Sequence, residues 1–326
     1  MTIFSRICAV IMIAFCSVAH AEEPHNAMPF GLWVKEFKMQ ALGQGISPQL
    51  LEEAFDGLEP NNRVVALDRK QPEGTKTFTE YMRGAVSQTR IDKGRKLYDQ
   101  HKPLLDEIAA KYGVQPRFIV ALWGIETNYG GYTGNFSIIE ALATLAYDGR
   151  RSDFFRKELL NALTILQEGH ITLDEMEGSW AGAMGQCQFM PSSFIAYAVD
   201  YNGDGRRDIW NSLPDIFASI ANYLSQSGWN DDETWGRQVS TLANANIGQS
   251  GLDVMRPLAE WQQRGVRSAD GTNLPQADLQ AALVYPGTEE ENAYLVYGNY
   301  KVLLKWNRSK YFATAVGTLS NRIARM

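Results

Sequence analysis

Pro116–Gly131 reads PRFIVALWGIETNYGG, a helix-length apolar run broken by one acidic residue. Pro116 suits the first position of a helix, and the Gly130-Gly131 pair can end one. From Phe118 to Ile125 the run is apolar on all sides, as a buried helix is. At helical spacing Glu126 shares a face with Leu122, Trp123 and Ile119. A carboxyl group there is partly stripped of water. Desolvation disfavours its charged form and raises its pKa toward the range where a Glu donates a proton at neutral pH. Two readings of Glu126 remain open on these grounds: a buried ion pair with an Arg, or a general acid.

On the N-terminal side, residues 29–56 read as two helices, with Ser47-Pro48 as N-cap and first position of the second. Residues 60–76 are polar and irregular, and helical periodicity runs from Thr77 to Tyr112. Pro103 marks a fresh helix start within it, and Gly113 a stop. On the C-terminal side a Gly- and Tyr-rich loop, Tyr129–Asn135, leads to helices at about Ser137–Tyr147 and Ser152–Glu168. Ser179–Pro191 is Gly-rich and apolar, which on spacing alone reads as tight helix packing; Pro214–Ser227 is a further amphipathic helix. Between 229 and 300 short segments such as Gln238–Leu242, Gln280–Tyr285 and Ala293–Tyr297 alternate with turn residues, indicating a small β-rich unit. Helical character returns at Tyr311–Ile323. The expected fold is mainly α (α+β): an N-terminal helical subdomain at 22–100, a helical core at 101–228, the β-rich subdomain at 229–300, and a C-terminal segment at 301–326 that returns to the core.

The chain has 326 residues, 45% apolar and 21% charged, an ordinary composition for a globular protein with a sizeable core. Residues 1–21 differ. Arg6 precedes a twelve-residue, mainly apolar run, Ile7–Val18, and Ala19-His20-Ala21 supplies small residues at a cleavage site. That is a secretory signal peptide cleaved after Ala21, so the expected location is periplasmic. A lipid anchor on Cys16 is disfavoured by Phe15 directly before it, and no later run reaches membrane-spanning length. Loss of Arg6 moves the net charge from −6 to −7, a poor match to nucleic acid. Cys8 and Cys16 leave with the signal and Cys187 stays alone, so no intramolecular disulfide is possible.

Three stretches suit a sugar, which has apolar ring faces and polar edges: the loop Thr127–Tyr132, the segment Gly178–Ser193, and Trp306–Tyr311. Other chemistries find no footing. GxSxG, Walker and HExxH motifs are missing from the sequence, and His20, His25, His101 and His170 are scattered. Asp200, Asn202, Asp204 and Asp208 occupy positions 1, 3, 5 and 9 of a twelve-residue calcium-loop pattern, with Gly205 at position 6. Arg206 stands at position 7, where such loops use the backbone carbonyl. Position 12 is Asn211, which cannot supply a bidentate carboxylate, and Asp215 is the candidate replacement. A calcium ion here would be structural, and the alternative is a surface loop rich in Asx turns.

Gly124-Ile125-Glu126-Thr127, Ser179 with Ala181–Gly185, Gln188–Ser193, the Asp200–Asp208 loop and Trp306–Ser309 together resemble the lytic murein transglycosylases of the membrane-bound lytic transglycosylase B type. The resemblance runs from about residue 30 to the C-terminus and implies a lysozyme-like helical core. It also implies cleavage of the β-1,4 bond between N-acetylmuramic acid and N-acetylglucosamine in peptidoglycan glycan strands, leaving 1,6-anhydromuramic ends and serving cell-wall turnover. In this resemblance Glu126 is the sole catalytic acid and base, and no catalytic cofactor is needed. Ser179, Gln188, Met190 and Asn307 match cleft-lining positions, with Trp306 and Tyr311 beside them. The Arg150-Arg151 pair matches a position suited to the acidic peptide stem, or is a pair of solvated surface arginines. Trp306 stands where Tyr is expected, and Phe312 where a further Tyr is common. The protein is expected to act as a monomer. Two alternatives stay in play. A hydrolytic muramidase needs a second carboxylate, for which Asp148 and Asp153 are nearest in sequence; a non-catalytic glycan-binding protein would have lost the acid.

Overall fold

The computed structural model describes residues 28–70, 76–287 and 292–325; the signal peptide expected at 1–21 lies outside them. Local chemistry starts most helices. After α1 (Phe30–Gly43), the Ser47 hydroxyl accepts from the Leu50 N–H and Pro48 opens α2 (Pro48–Phe55). The stretch expected to be irregular carries a helix, α3 (Asn62–Lys70). Its start is capped by the Asn61 side chain, which accepts from the Arg63 and Val64 N–H groups. The periodicity is hard to see because its inward face holds one apolar residue, Val64, and then a charged one, Asp68. Both are buried.

A capping box of Thr77 and Glu80 opens α4 (Phe78–Ala85), followed by α5 (Gln88–Gln100) and α6 (Lys102–Tyr112). Gly113 ends α6 in the left-handed conformation, φ 63°. Next comes α7 (Pro116–Thr127), whose Phe118, Ile119, Val120 and Leu122 are fully buried. Each of those side chains contributes about 1.5–3 kcal/mol by leaving water. Around α7 lie β1 (Phe136–Ser137), α8 (Ile138–Asp148), α9 (Ser152–Gln167), β2 (Glu177–Gly178), α10 (Pro191–Tyr197) and α11 (Leu213–Gln226). One core runs through all of these helices and those of the N-terminal part, from Trp33 to Ile323.

The β-rich unit holds β3 (Gly236–Thr241), β4 (Met255–Pro257), α12 (Leu258–Gln263), β5 (Val266–Ser268), β6 (Gln280–Val284) and β7 (Ala293–Val296). Its five strands are antiparallel in the order β4-β6-β7-β3-β5. Alternation along β6 and β7 sorts the two faces. Ala281, Leu283, Ala293 and Leu295 point to a small separate core with Trp261; Ala282, Val284, Tyr294 and Val296 join the main core. The sheet is therefore docked on the helical body through side chains one residue out of step. From β7 the chain enters α13 (Gly298–Trp306) and α14 (Lys310–Ile323), and α14 packs along α7.

Candidate active site

The last turn of α7 carries Glu126 and stops abruptly. Asn128, Tyr129 and Gly130 in succession take the left-handed backbone, at φ 52°, 60° and 73°. Asn tolerates this conformation; Tyr has to be held in it. The Tyr129 hydroxyl donates to the Arg90 carbonyl at 2.8 Å, and its ring lies on Gly124 so closely that a Cβ there would be 2.6 Å from it. Gly124 therefore tolerates a helix-propensity cost of about 1 kcal/mol in exchange for that contact. The Thr127 hydroxyl, which accepts from the Gly130 N–H, points to the Gln186 carbonyl at 3.2 Å.

Gln186 fastens the Gly-rich segment to this turn. Its Oε1 accepts from Trp123 Nε1 at 2.7 Å and its Nε2 donates to the Trp210 carbonyl at 2.7 Å. The segment is a looped hairpin with close backbone approach rather than a helix-packing surface. Met184 bridges to both Gly178 and Phe189, and a Cβ on Gly178 would lie 2.2 Å from the Ala183 carbonyl oxygen. Ser179 Oγ closes it by accepting from the Ala183 N–H. Gln188 adopts φ 51° and is held by donating to the Thr133 and Gly185 carbonyls, both at 3.0 Å. Three left-handed non-glycine residues thus flank one turn, a concentration of strain typical of functional sites. A groove of about 510 Å³, lined in part by Gly130, Thr133, Gln186 and Trp210, runs beside it.

Glu126 is partly buried, and among the described residues its one hydrogen-bond partner is Trp306, whose Nε1 donates to Oε1 at 2.6 Å. Among the described residues no arginine pairs with it, so the ion-pair reading falls. Burial pushes its pKa up from 4.5 to about 7, against the pull of the Trp306 N–H. The buried Cys187 thiol is pushed up by burial and by the Glu126 charge, so it is no nucleophile. The indole of Trp306 rests on Phe189, centroids 5.2 Å apart, and edge-on to Tyr223 at 4.6 Å. Phe189 brings its neighbours Gln188 and Met190 to this wall, and exposed Asn307 follows Trp306 with Oδ1 accepting from the Ser309 N–H.

Other expected residues are placed elsewhere. Arg150 and Arg151 both bond the carboxylate of Asp68, which is 2% exposed, at 2.6 and 2.7 Å. Burial raises the Asp68 pKa, but the two guanidiniums outweigh it and hold the group below the usual carboxylate range. This pair ties the junction of α8 and α9 to α3. Tyr311 packs on Phe78 and Tyr81, at 5.2 and 5.6 Å, and so belongs to the contact with α4. Asp148 is bound to Arg69, and Asp153 is exposed; neither is a partner of Glu126. A cavity of about 730 Å³ near Asp148, lined by Phe30, Val65 and Tyr147 among others, does not include Glu126.

The calcium-loop residues close on their own backbone. Asp200 accepts from the N–H groups of Gly203, Asp204 and Gly205, at 2.7 to 3.2 Å. Asn202 and Asp204 bond the next amides along, those of Asp204 and Arg206. Asp208 accepts from Trp210 and Asn211. Asp215, fully buried, accepts from the Tyr201, Asn202 and Asp208 N–H groups. Both of its oxygens accept from the loop's amides. Among the described residues no three or more His, Cys, Asp or Glu side chains gather so as to hold a metal. The donors fit calcium in type and order but lack the last carboxylate.

Sequence reasoning missed Gln186, the Trp306–Glu126 bond and Glu158, whose carboxylate accepts from the Ser192 N–H and hydroxyl at the start of α10. All three join residues far apart in the chain, and no local pattern announces them.

Comparison with known proteins gives a consistent result. Residues 29–321 match the family model described as Transglycosylase SLT domain. Membrane-bound lytic murein transglycosylase B of Escherichia coli (strain K12) is 29% identical over 284 residues, 81% of this chain and 72% of that one. The crystal structure of SltB3 from Pseudomonas aeruginosa in complex with NAG-anhNAM-pentapeptide is 43% identical, with a TM-score of 0.87 over 91% of this chain and 80% of that one. Escherichia coli lytic transglycosylase Slt35 in complex with calcium is 27% identical, with a TM-score of 0.76 over 90% and 92%.

Proposed function

The chain belongs to the transglycosylase SLT family, and from that premise we propose a glycan cleavage carried by one carboxyl group, that of Glu126. The protein is a lytic murein transglycosylase with a lysozyme-like helical core. Its substrate is the peptidoglycan glycan strand, and its role is cell-wall turnover and remodelling. Neutral Glu126 protonates the glycosidic oxygen, which leaves as the hydroxyl of N-acetylglucosamine. The N-acetyl carbonyl of the muramic residue stabilises C1 in place of an enzyme carboxylate. Ionised Glu126 then takes the proton of the C6 hydroxyl as O6 bonds to C1, which closes the 1,6-anhydro ring and restores the acid. No water is consumed.

The observation that carries this reading is the seat of Glu126 on the apolar helix α7 with one indole N–H as its partner among the described residues; burial there pushes its pKa up to about 7, so one group can serve in both protonation states near neutral pH. Among the described residues only burial and the Trp306 N–H act on the Glu126 carboxyl, with no carboxylate among its perturbing groups, which favours internal attack over a hydrolytic route. Ser179, Gln188, Met190 and Asn307 line the strand, and the indole face of Trp306 lies against the sugar. Mass analysis of fragments from purified sacculi tests the reaction. Anhydro ends are expected; products heavier by one water would overturn the transglycosylase mechanism.

Among the described residues no helix is long and apolar enough to cross a membrane. With the signal read at residues 1–21, we place the mature protein in the periplasm as a monomer. The Asp200–Asp215 loop is proposed to keep its shape through its own amides, with calcium a weak addition.

A further inference from the structure

We propose that Trp306 is a positioning residue that keeps the transferable proton of Glu126 on Oε2, the oxygen open to the cleft. This deepens the proposed function and rests on Glu126 being the acid. An indole N–H donates and never accepts, so Oε1, 2.6 Å from Nε1, is an acceptor in both protonation states. A proton on Oε1 would compete with the indole hydrogen for that short contact. Oε2 has no hydrogen-bond partner among the described residues and is not one of the sealed, unsatisfied atoms of the interior. The neutral acid therefore carries its hydrogen on the one oxygen a glycosidic oxygen can reach.

The indole is held in place to do this. Tyr223 stands edge-on at 4.6 Å and Phe189 leans against it at 5.2 Å. The Tyr223 hydroxyl donates to the Lys305 carbonyl at 2.8 Å, and Lys305 Nζ donates to the Ser227 carbonyl at 2.7 Å, so the end of α13 is fastened to α11. A hydroxyl at position 306 could donate or accept and would leave both oxygens open to the proton. The same N–H bonds the carboxylate more strongly than the neutral acid, which eases release of the proton in the first, acid step.

The test compares Trp306→Phe, Trp306→Tyr and an isosteric benzothienylalanine at 306 on a defined glycan fragment, with pH profiles. Losing the donor while keeping an aromatic ring is expected to lower kcat about 10–100-fold and leave KM within about threefold. The falling limb of kcat/KM, expected near pH 7 in the parent, should move about one unit higher, because the donor that opposes protonation is gone. Trp306→Tyr should recover part of kcat. A raised KM with kcat unchanged, or a pH limb that stays put in a folded variant, would overturn the proposal in favour of plain sugar stacking. The benzothienyl variant keeps the shape of the ring, so the result is readable even if Trp306→Phe folds poorly. An active Glu126→Gln enzyme would instead remove the acid role itself, so the two failures are distinguishable.

Discussion

Glu126, in the last turn of α7, and Glu158, midway along α9, are glutamates set among apolar neighbours, and they differ in how their oxygens are satisfied. At 3% exposure, Glu158 has both oxygens occupied: the Ser192 N–H binds Oε2 at 2.8 Å and the Ser192 hydroxyl binds Oε1 at 2.6 Å. It closes the start of α10 and has nothing left to offer a ligand. Glu126 has one donor, on Oε1, and an open Oε2. A buried carboxylate given donors on both oxygens is a structural tie; one given a single donor and little water holds its proton and stays reactive.

The sharpest break of this comparison is kinetic. Glu126→Gln should reduce turnover of sacculi at least about a thousand-fold, whereas Glu158→Gln should stay within about fivefold. A folded Glu158→Gln that is equally inactive would erase the distinction. Next is stability against pH. Folding raises the Glu126 pKa from 4.5 to about 7, so the folded state favours the protonated acid. That contribution is complete below about 4.5 and is lost as pH rises through about 7. Urea unfolding should therefore show Glu126→Gln more stable than the parent by up to about 3 kcal/mol at pH 8, with the gap closing toward pH 4.5. A gap independent of pH would contradict the shift.

Glu158→Gln should go the other way in the same melts, losing about 1–3 kcal/mol, because an amide cannot accept with both atoms. The smallest effect is expected at the Asp200–Asp215 loop. Chelator should change the parent's Tm by less than about 2 °C, while Asn211→Glu, which restores the twelfth ligand, should make Tm rise with calcium. A large shift in the parent would show a site already complete.

The periodicity around Pro116 was enough to place a buried helix with one acid on it, because 3.6-residue spacing is a local property. The strands at Gly236–Thr241, Gln280–Val284 and Ala293–Val296 were legible through turn residues and alternation. Helix α3 was not, since a charged residue occupies its second inward position and its partner arginines lie some 80 positions later. For the same reason Arg150 and Arg151 could not be told from surface cations. In the cleft, residue types suited to a sugar were visible at 178–193 and 306–311, but not which of them meet Glu126; Tyr311 turns to α4 instead.

By itself, the sequence determined a mostly helical protein with a minor sheet, a carboxyl group on an apolar face, and ordered motifs that resemble one enzyme family. Only the tertiary structure decided that the acid's partner is an indole 180 residues away, rather than an arginine. It also decided that Asp215 holds amides and that Gln186 binds the loop to the helix. The division has a physical reason. A side chain's tendency to leave water is written in its neighbours along the chain. Which hydrogen bonds then satisfy it depends on what the fold brings within about 3 Å.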